Sequence, residues 1–331
     1  MHGATTTGGA MTAPVLVTGG AGFIAHHLVR QLGEEGVRVR VLDPAARAGG
    51  FPAGVEVHAG SILDRETLAR AMEGVEVVYH LAARASLWSP DPALFERVNH
   101  QGTRAVLEAG AAAGVRRLVL KDWRKGGSEA VTEAEPRPPL DAMPGPYSGS
   151  KWRAEGAVLE AMADGLDVVL LYPTVPIGPP GGFVTDPTEM LKRFLLAPPP
   201  AYLETRLDLV DAADVATAHR LAARAAPAGG RYILSGESIL FSELLARLEA
   251  LSGRRMPRRR IPYAVAAATA HAAAALAGIS RRPPAATVEG VRVARSPRPY
   301  SAAAARRDLG WQPRPLADTL AETVRAILGR R

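Results

Sequence analysis

Residues 17–28 read VTGGAGFIAHHL, a glycine-rich turn that follows a short apolar run and opens a stretch with helical periodicity. That context gives the glycines a chemical use. Gly19 permits a tight turn, Gly22 lets the backbone approach a pyrophosphate, and Ala25 lets a helix pack closely where a third glycine would otherwise sit. The amides that begin the helix, around Phe23 and Ile24, then present free N–H groups and a positive dipole end to phosphate. Asp43 stands 24 positions after Gly19 at the end of the next apolar run. A carboxylate there suits the two hydroxyls of a ribose and repels a 2′-phosphate. The combination predicts a nicotinamide dinucleotide site that favours NAD, with Arg47 keeping NADP open.

Tyr147 and Lys151 form a second pair with chemical potential. Residues four apart share a helix face, so an ammonium at 151 can stabilise a phenolate at 147. A tyrosine near its free value of about 10 is a poor base at neutral pH, so such help is what proton transfer requires. Taken alone, the spacing favours a surface tyrosine and a solvated lysine. Its position just ahead of an apolar strand-like run favours the chemical reading.

These groups need a scaffold that brings distant segments to one edge. Apolar runs at 15–17, 37–42, 55–58, 75–81, 115–120 and 166–171 alternate with helical stretches, the pattern of βαβ units on a parallel sheet. The expected fold is α/β: a Rossmann-type doubly wound parallel sheet with a smaller, mainly helical C-terminal substrate lobe. Proline and glycine crowd residues 173–182 and 198–200, where the chain is expected to leave the sheet, and from Arg231 onward it reads as mainly helical. The expected division is a disordered extension over 1–13 and a dinucleotide-binding domain over 14–175, to which 206–228 return. Residues 176–205 and 229–331 form the lobe.

The 331 residues carry a formal net charge of +7, with 47% hydrophobic and 22% charged residues and no cysteine. That balance is globular. The lack of cysteine excludes disulfides, thiolate metal sites and a cysteine nucleophile. The densest basic cluster, Arg254, Arg255, Arg258, Arg259 and Arg260, has no interleaved aromatic residue, so no nucleic-acid partner is expected. Nor is a metal, because His26 and His27 lack acidic partners at ligand spacing. The apolar run 264–279 is too short for an integral membrane segment and reads as a buried or interfacial helix. The polar N-terminus is unlike a signal peptide, and a cytoplasmic protein is expected.

Beyond the glycine turn, the chain carries HLAA at 80–83, NHQGTRAVLEAG from Asn99, YSGSK at 147–151, YPTVPIGP at 172–179, LVDAADVATAH at 209–219 and DLGWQPRPL at 308–316. With these it resembles the extended short-chain dehydrogenase/reductases, the NAD-dependent epimerase/dehydratase family, from about residue 15 to residue 328. The PTVPIGP, PAYLETRLDLVDAADVA and TVEGVRVAR runs are most similar to hopanoid-associated sugar epimerases and dihydroflavonol reductase-like members. The resemblance implies that Tyr147 is the acid/base, served by Lys151, and that Asn99 supports a proton relay through a backbone-bound water. It implies that Leu81, Ala82 and Ala83 line the dinucleotide groove, that Ser61 and Ile62 lie near the adenine, and that Pro173 and Thr174 pack by the nicotinamide. It also implies a homodimer through the helices around Asn99 and Tyr147.

The sequence departs from the family after the fifth strand. Relatives place a Ser/Thr-rich stretch there, one hydroxyl of which binds the substrate oxygen; here the run is LVLKDWRKGG, with Lys121, Asp122 and Trp123 in its place. A hydroxyl donates and accepts, whereas an ammonium only donates and a carboxylate only accepts. Losing one hydrogen bond to a developing charge costs about 10²–10³ in rate. Three outcomes follow, in order of expectation: Lys121 or Asp122 takes over polarisation or proton transfer, Ser128 or Thr132 is brought in by a shifted loop, or the protein binds its cofactor and does little chemistry. The leading function is NAD(P)-linked oxidation, reduction or epimerisation at a secondary alcohol or ketone of a sugar-like or polycyclic small molecule. The alternatives are non-redox acid/base chemistry using Asp122 or Lys121, and cofactor binding without turnover.

Overall fold

The computed structural model describes residues 13–122, 130–183, 185–284, 286–295 and 298–329. The expected N-terminal extension and the sequence positions of Trp123 and Ser128 lie outside the described residues, save Ala13.

Seven strands form one parallel sheet in the order β10-β6-β5-β4-β1-β2-β3. They are β1 (Val15–Thr18), β2 (Val39–Leu42), β3 (Glu56–His58), β4 (Val77–His80), β5 (Arg117–Lys121), β6 (Val168–Pro173) and β10 (Arg231–Leu234). β1, β4 and β6 are buried along their whole length, which explains why they read as largely apolar runs that do not alternate. One face is covered by α1 (Phe23–Glu34) and α7 (Ala212–Ala225), with α11 (Ala303–Leu309) and the fully buried Trp311 beside them. The other is covered by α2 (Arg65–Met72), α4 (Gly102–Ala112) and α5 (Pro146–Ala163). The strand order reverses between β1 and β4. A crevice outside the carboxyl ends of the strands opens at such a switch point.

β10 corrects the expected division of the chain. Arg231 opens not the helical lobe but the seventh strand of the sheet, in parallel register with Leu170–Pro173 of β6. Four residues between Gly229-Gly230 and Ser235-Gly236 are too few to show a period. Residues 302–311 likewise pack with α1 and α7 on the sheet and not in the lobe.

The lobe has its own apolar centre. It is built from β7 (Val175–Ile177), α6 (Asp186–Leu196), β8 (Ala201–Leu203), β9 (Arg206–Asp211), β11 (Glu237–Leu240), α8 (Phe241–Ser252) and α12 (Leu316–Leu328). β9 pairs with β7 in parallel and with β11 in antiparallel fashion. β12 (Arg259–Ile261) pairs with β8 and leads into α9 (Tyr263–Ser280), which rests on α10 (Val288–Ala294) through Ala266, Ala270 and Val291. Of the two expectations for the apolar 264–279 run, buried or interfacial, the buried one does not hold for most of α9, where Ala266, Ala270 and Ala277 are the buried positions. Composition gives apolarity, but not which face finds a neighbour.

Candidate active site

The β1–α1 turn has the shape its glycines suggest. Gly19 adopts φ +69°, and a Cβ there would lie 2.5 Å from the backbone nitrogen of Ala82. The turn and the segment after β4 therefore touch backbone to backbone, which a side chain would prevent. Gly22 is the N-cap of α1 and offers no side chain to its amides, and the first turn carries no acid. The helix start is left for an anion. Phe23 and Ile24 are buried beneath it and fix the helix against the sheet.

Asp43 follows β2 directly. Its carboxylate accepts from the amide of Ala45 at 2.7 Å and, across the crevice, from the amide of Ala21 at 3.3 Å. It is thus aimed at the glycine turn. Arg47 is occupied with carbonyls of its own turn, donating to Ala46 at 2.8 Å and Pro44 at 3.1 Å. Ser61 accepts from the Leu63 amide at 3.1 Å, while Ile62 is buried under α4. The amide of Leu81 donates to Thr18, which keeps the 81–83 segment along β1. Pro173 ends β6, and both the amide and hydroxyl of Thr174 donate to the carbonyl of Leu234. A glycine cradle, an uncapped helix start and a carboxylate at the neighbouring strand tip fit a dinucleotide.

α5 supplies Tyr147 and Lys151 from one face. Pro146 occupies the first turn, but the N-cap is Gly145, without a side chain. The cap comes from α10: Glu289 accepts from the amides of Tyr147 (3.1 Å) and Ser148 (2.7 Å) and from the Ser148 hydroxyl. Gly145 is required for this approach, since a Cβ would lie 2.5 Å from the Glu289 carboxylate. Sequence reasoning gave Glu289 no role. Its available signal was an acid two positions after Thr287, the N-cap of α10, but nothing local says that it serves another helix.

Lys151 is 3% exposed. Its ammonium lies 3.0 Å from Asp122 Oδ1 and donates to the carbonyl of Lys121 at 3.3 Å. Asp122 is anchored in turn by its amide, which donates to Leu171 at 2.8 Å. The residue that replaces a hydroxyl has therefore closed on the lysine. The Tyr147 phenol is held above its ordinary value, by burial first and then by the carboxylates of Asp122, Glu289 and Asp186.

Lys121 and Asp122 diverge. Val119 packs on the α1/α7 face and Leu118 and Leu120 on the other, so strand alternation turns Lys121 toward α7. There its charge adds to burial in pushing His219 down to about 4. Burial and the neighbouring Lys151 bring Lys121 itself down to about 8, against an opposing pull from Asp122. Thr132, one of the replacement hydroxyls considered, is half-buried beside the Val131 bridge to Tyr300.

Asn99 sits in a π-helical turn, Glu96–Gln101, between α3 (Ala93–Phe95) and α4. Such turns are frequent at functional sites. Its side chain accepts from the Arg84 amide at 2.7 Å and donates to Ser150 at 2.9 Å, joining the segment after β4 to α5. Its carbonyl accepts from the Thr103 hydroxyl at 2.6 Å. Because Thr103 donates there, it accepts from His80 Nε2–H at 3.1 Å, and Nδ1 accepts from Thr18 at 2.7 Å. Burial, then Lys151 and Lys121, push His80 down to about 3, so this chain runs through a neutral ring. It ties the ends of β1 and β4 to the π turn.

Among the described residues, no group of His, Asp and Glu could hold a metal ion.

The sequence matches the model of the NAD dependent epimerase/dehydratase family over residues 15–235. It is 32% identical over 329 residues to the "Putative dihydroflavonol 4-reductase" of Synechocystis, covering 95% of this chain and 94% of that protein. It is 31% identical over 260 residues to sterol demethylase protein B of Methylococcus capsulatus, covering 75% and 77%. Its fold is similar to that of the Thermus thermophilus UDP-glucose 4-epimerase in complex with NAD, at a TM-score of 0.74 and 27% identity, covering 96% and 99%.

Proposed function

Because the chain belongs to the NAD-dependent epimerase/dehydratase family, we propose that it interconverts a secondary alcohol and a ketone on a polycyclic or sugar-like small molecule, with Tyr147 moving the proton. The protein is an NAD-dependent oxidoreductase or epimerase of the short-chain dehydrogenase/reductase type. The observation that carries the finer reading is the meeting of Tyr147 and Lys151 with the carboxylate of Asp122, at the carboxyl ends of β4, β5 and β6.

The β1–α1 turn would hold the diphosphate and Asp43 the adenosine ribose, with Ser61 and Ile62 toward the adenine and Pro173 and Thr174 toward the nicotinamide. When bound, the cofactor exchanges a hydride with the carbinol carbon. Tyr147, held above its ordinary value, keeps its proton at neutral pH and is set up to donate it to a ketone oxygen. The reverse reaction needs the phenolate and therefore gains with rising pH. Lys151 and Asp122 compensate each other's charge, so the pair orients the phenol's surroundings without a net cation. Asn99 fixes the spacing of the π turn and α5 through Ser150. Lys121, on the far side of β5, is assigned no proton transfer.

The polycyclic alternative is supported by the steroid- and flavonoid-related names of the relatives, and the sugar-like one by the epimerase neighbour. A cytoplasmic homodimer through α4 and α5 belongs to the same reading. The test is NADH oxidation with a panel of bulky cyclic ketones and nucleotide-sugar ketones. Tyr147→Phe is expected to lower kcat by about 10²–10⁴ while leaving NAD binding intact. Turnover undiminished in Tyr147→Phe would instead favour acid/base chemistry centred on Asp122.

A further inference from the structure

α9 is the longest uncharged surface element of the lobe. Its 18 residues contain no Asp, Glu, Lys or Arg and are long and apolar enough to cross a membrane. It does not stand free, however. Ala266 and Ala270 rest on Val291 of α10, with Leu203 and Ile261 beside them, so the helix lies along the lobe. The side away from α10 is exposed: Val265 is 47%, Leu276 65% and Ile279 86% accessible, and Ala268, Ala272 and Ala275 complete the stripe. These positions span about 100° of helix arc, opposite the buried alanines.

Two polar side chains interrupt this surface, and both turn back onto the helix. Thr269 donates to the carbonyls of Val265 and Ala266, each at 3.0 Å, and the His271 ring bonds the carbonyl of Ala267 at 2.7 Å. Little unmet hydrogen-bonding demand therefore faces outward.

The charges gather at the two ends. Arg254, Arg255, Arg258, Arg259 and Arg260 precede α9, and Arg281 and Arg282 follow it, all exposed. Arg258 and Arg260 pair with Glu249 and Glu204. Among the described residues, Arg255, Arg259, Arg281 and Arg282 have no acidic partner within ion-pair distance. An apolar stripe between basic ends fits a helix lying in the plane of an anionic bilayer, with its stripe at the acyl boundary and guanidinium groups on headgroup phosphates.

We propose that α9 and its flanking arginines dock this protein reversibly on an anionic lipid surface. Alanine contributes little apolar area, so three large side chains give weak partitioning alone and the arginines supply the rest. A second copy of the chain fits less well, because a two-fold contact along α9 would set the arginine-rich ends of the two copies against each other. The α10 that seats α9 also carries Glu289 against the amides of Tyr147 and Ser148. Docking would hold Tyr147 about one helix layer, roughly 10 Å, beneath the lipid-facing helix. On the oxidoreductase reading, which this last step rests on, that position suits an apolar alcohol or ketone drawn from the bilayer.

The test is flotation of the full chain with vesicles of phosphatidylcholine alone or with about 30% phosphatidylglycerol. Binding to the anionic vesicles is expected to be at least about tenfold tighter and to fall when salt rises from about 50 to about 500 mM. Leu276→Glu/Ile279→Glu and Arg281→Gln/Arg282→Gln, both confined to exposed positions, are each expected to lose about tenfold or more while NAD titration stays unchanged. Three results would overturn the proposal: a wild-type chain that ignores anionic vesicles, binding untouched by the Leu276/Ile279 change, or a solution dimer that this change dissolves. The flotation is read without turnover, so a failed reductase assay leaves it standing and a failed flotation leaves the reductase reading standing.

Discussion

Replacing Asp122 by alanine strands a buried ammonium. The Lys151–Asp122 separation is 3.0 Å, and the side chains are 4% and 3% exposed. At an effective dielectric of about 20, Coulomb attraction at this distance is roughly 5–6 kcal/mol, before the cost of desolvating both ions. Among the described residues, what remains for Lys151 in the variant is the Lys121 carbonyl at 3.3 Å. Removing one partner of a buried pair costs about 3–5 kcal/mol, and that is the expected loss in urea unfolding at pH 7. Asp122→Ser, which restores an acceptor, is expected to lose less. A variant within about 1 kcal/mol of wild type at pH 7 would refute the reasoning that the pair is closed and dry.

Lys121 carries a linkage to pH. Its folded value of about 8 lies below the unfolded value of about 10.4, so between these the unfolded state binds more protons and stability rises with pH, by up to about 1.4 kcal/mol per unit. Lys121→Met is expected to remove that rise in urea titrations across the window. Asp43→Ala removes the carboxylate aimed at the glycine turn and is expected to weaken NAD about tenfold or more while narrowing the preference over NADP, read by calorimetry with both cofactors. Glu289→Gln takes a negative charge from the start of α5 and from beside Tyr147. Stability is expected to fall by about 0.5–2 kcal/mol, and the alkaline rise of alcohol oxidation to move to lower pH, whereas a merely structural cap would leave the pH profile in place.

The sheet was largely legible because its central strands are buried on both faces and so appear as apolar runs, as at 77–79 and 168–171. β10 was not, since four residues hemmed by glycines carry no period. The dinucleotide cradle was legible because backbone geometry forces residue type: Gly19 cannot carry a side chain against Ala82. The cluster of Tyr147, Lys151 and Asp122 was legible only in membership. Nothing in LVLKDW says that Asp122 turns toward α5 and Lys121 toward α7; that follows from strand alternation once the register is known. Glu289 was hidden for a related reason, as it acts on Tyr147 and Ser148 from more than 140 positions away. The exposed face of α9 was not legible beyond a choice between buried and interfacial, because an alanine-rich helix looks alike whether it is covered or bare.

The claim beneath all of these assignments is that the β1–α1 turn and Asp43 hold a dinucleotide without a 2′-phosphate. Calorimetric titration of the folded chain with NAD, and separately with NADP, tests it most directly. The expected result is one NAD per chain, with NADP at least about tenfold weaker against the Asp43 carboxylate. Folded protein that takes up neither cofactor, or that prefers NADP, would contradict it.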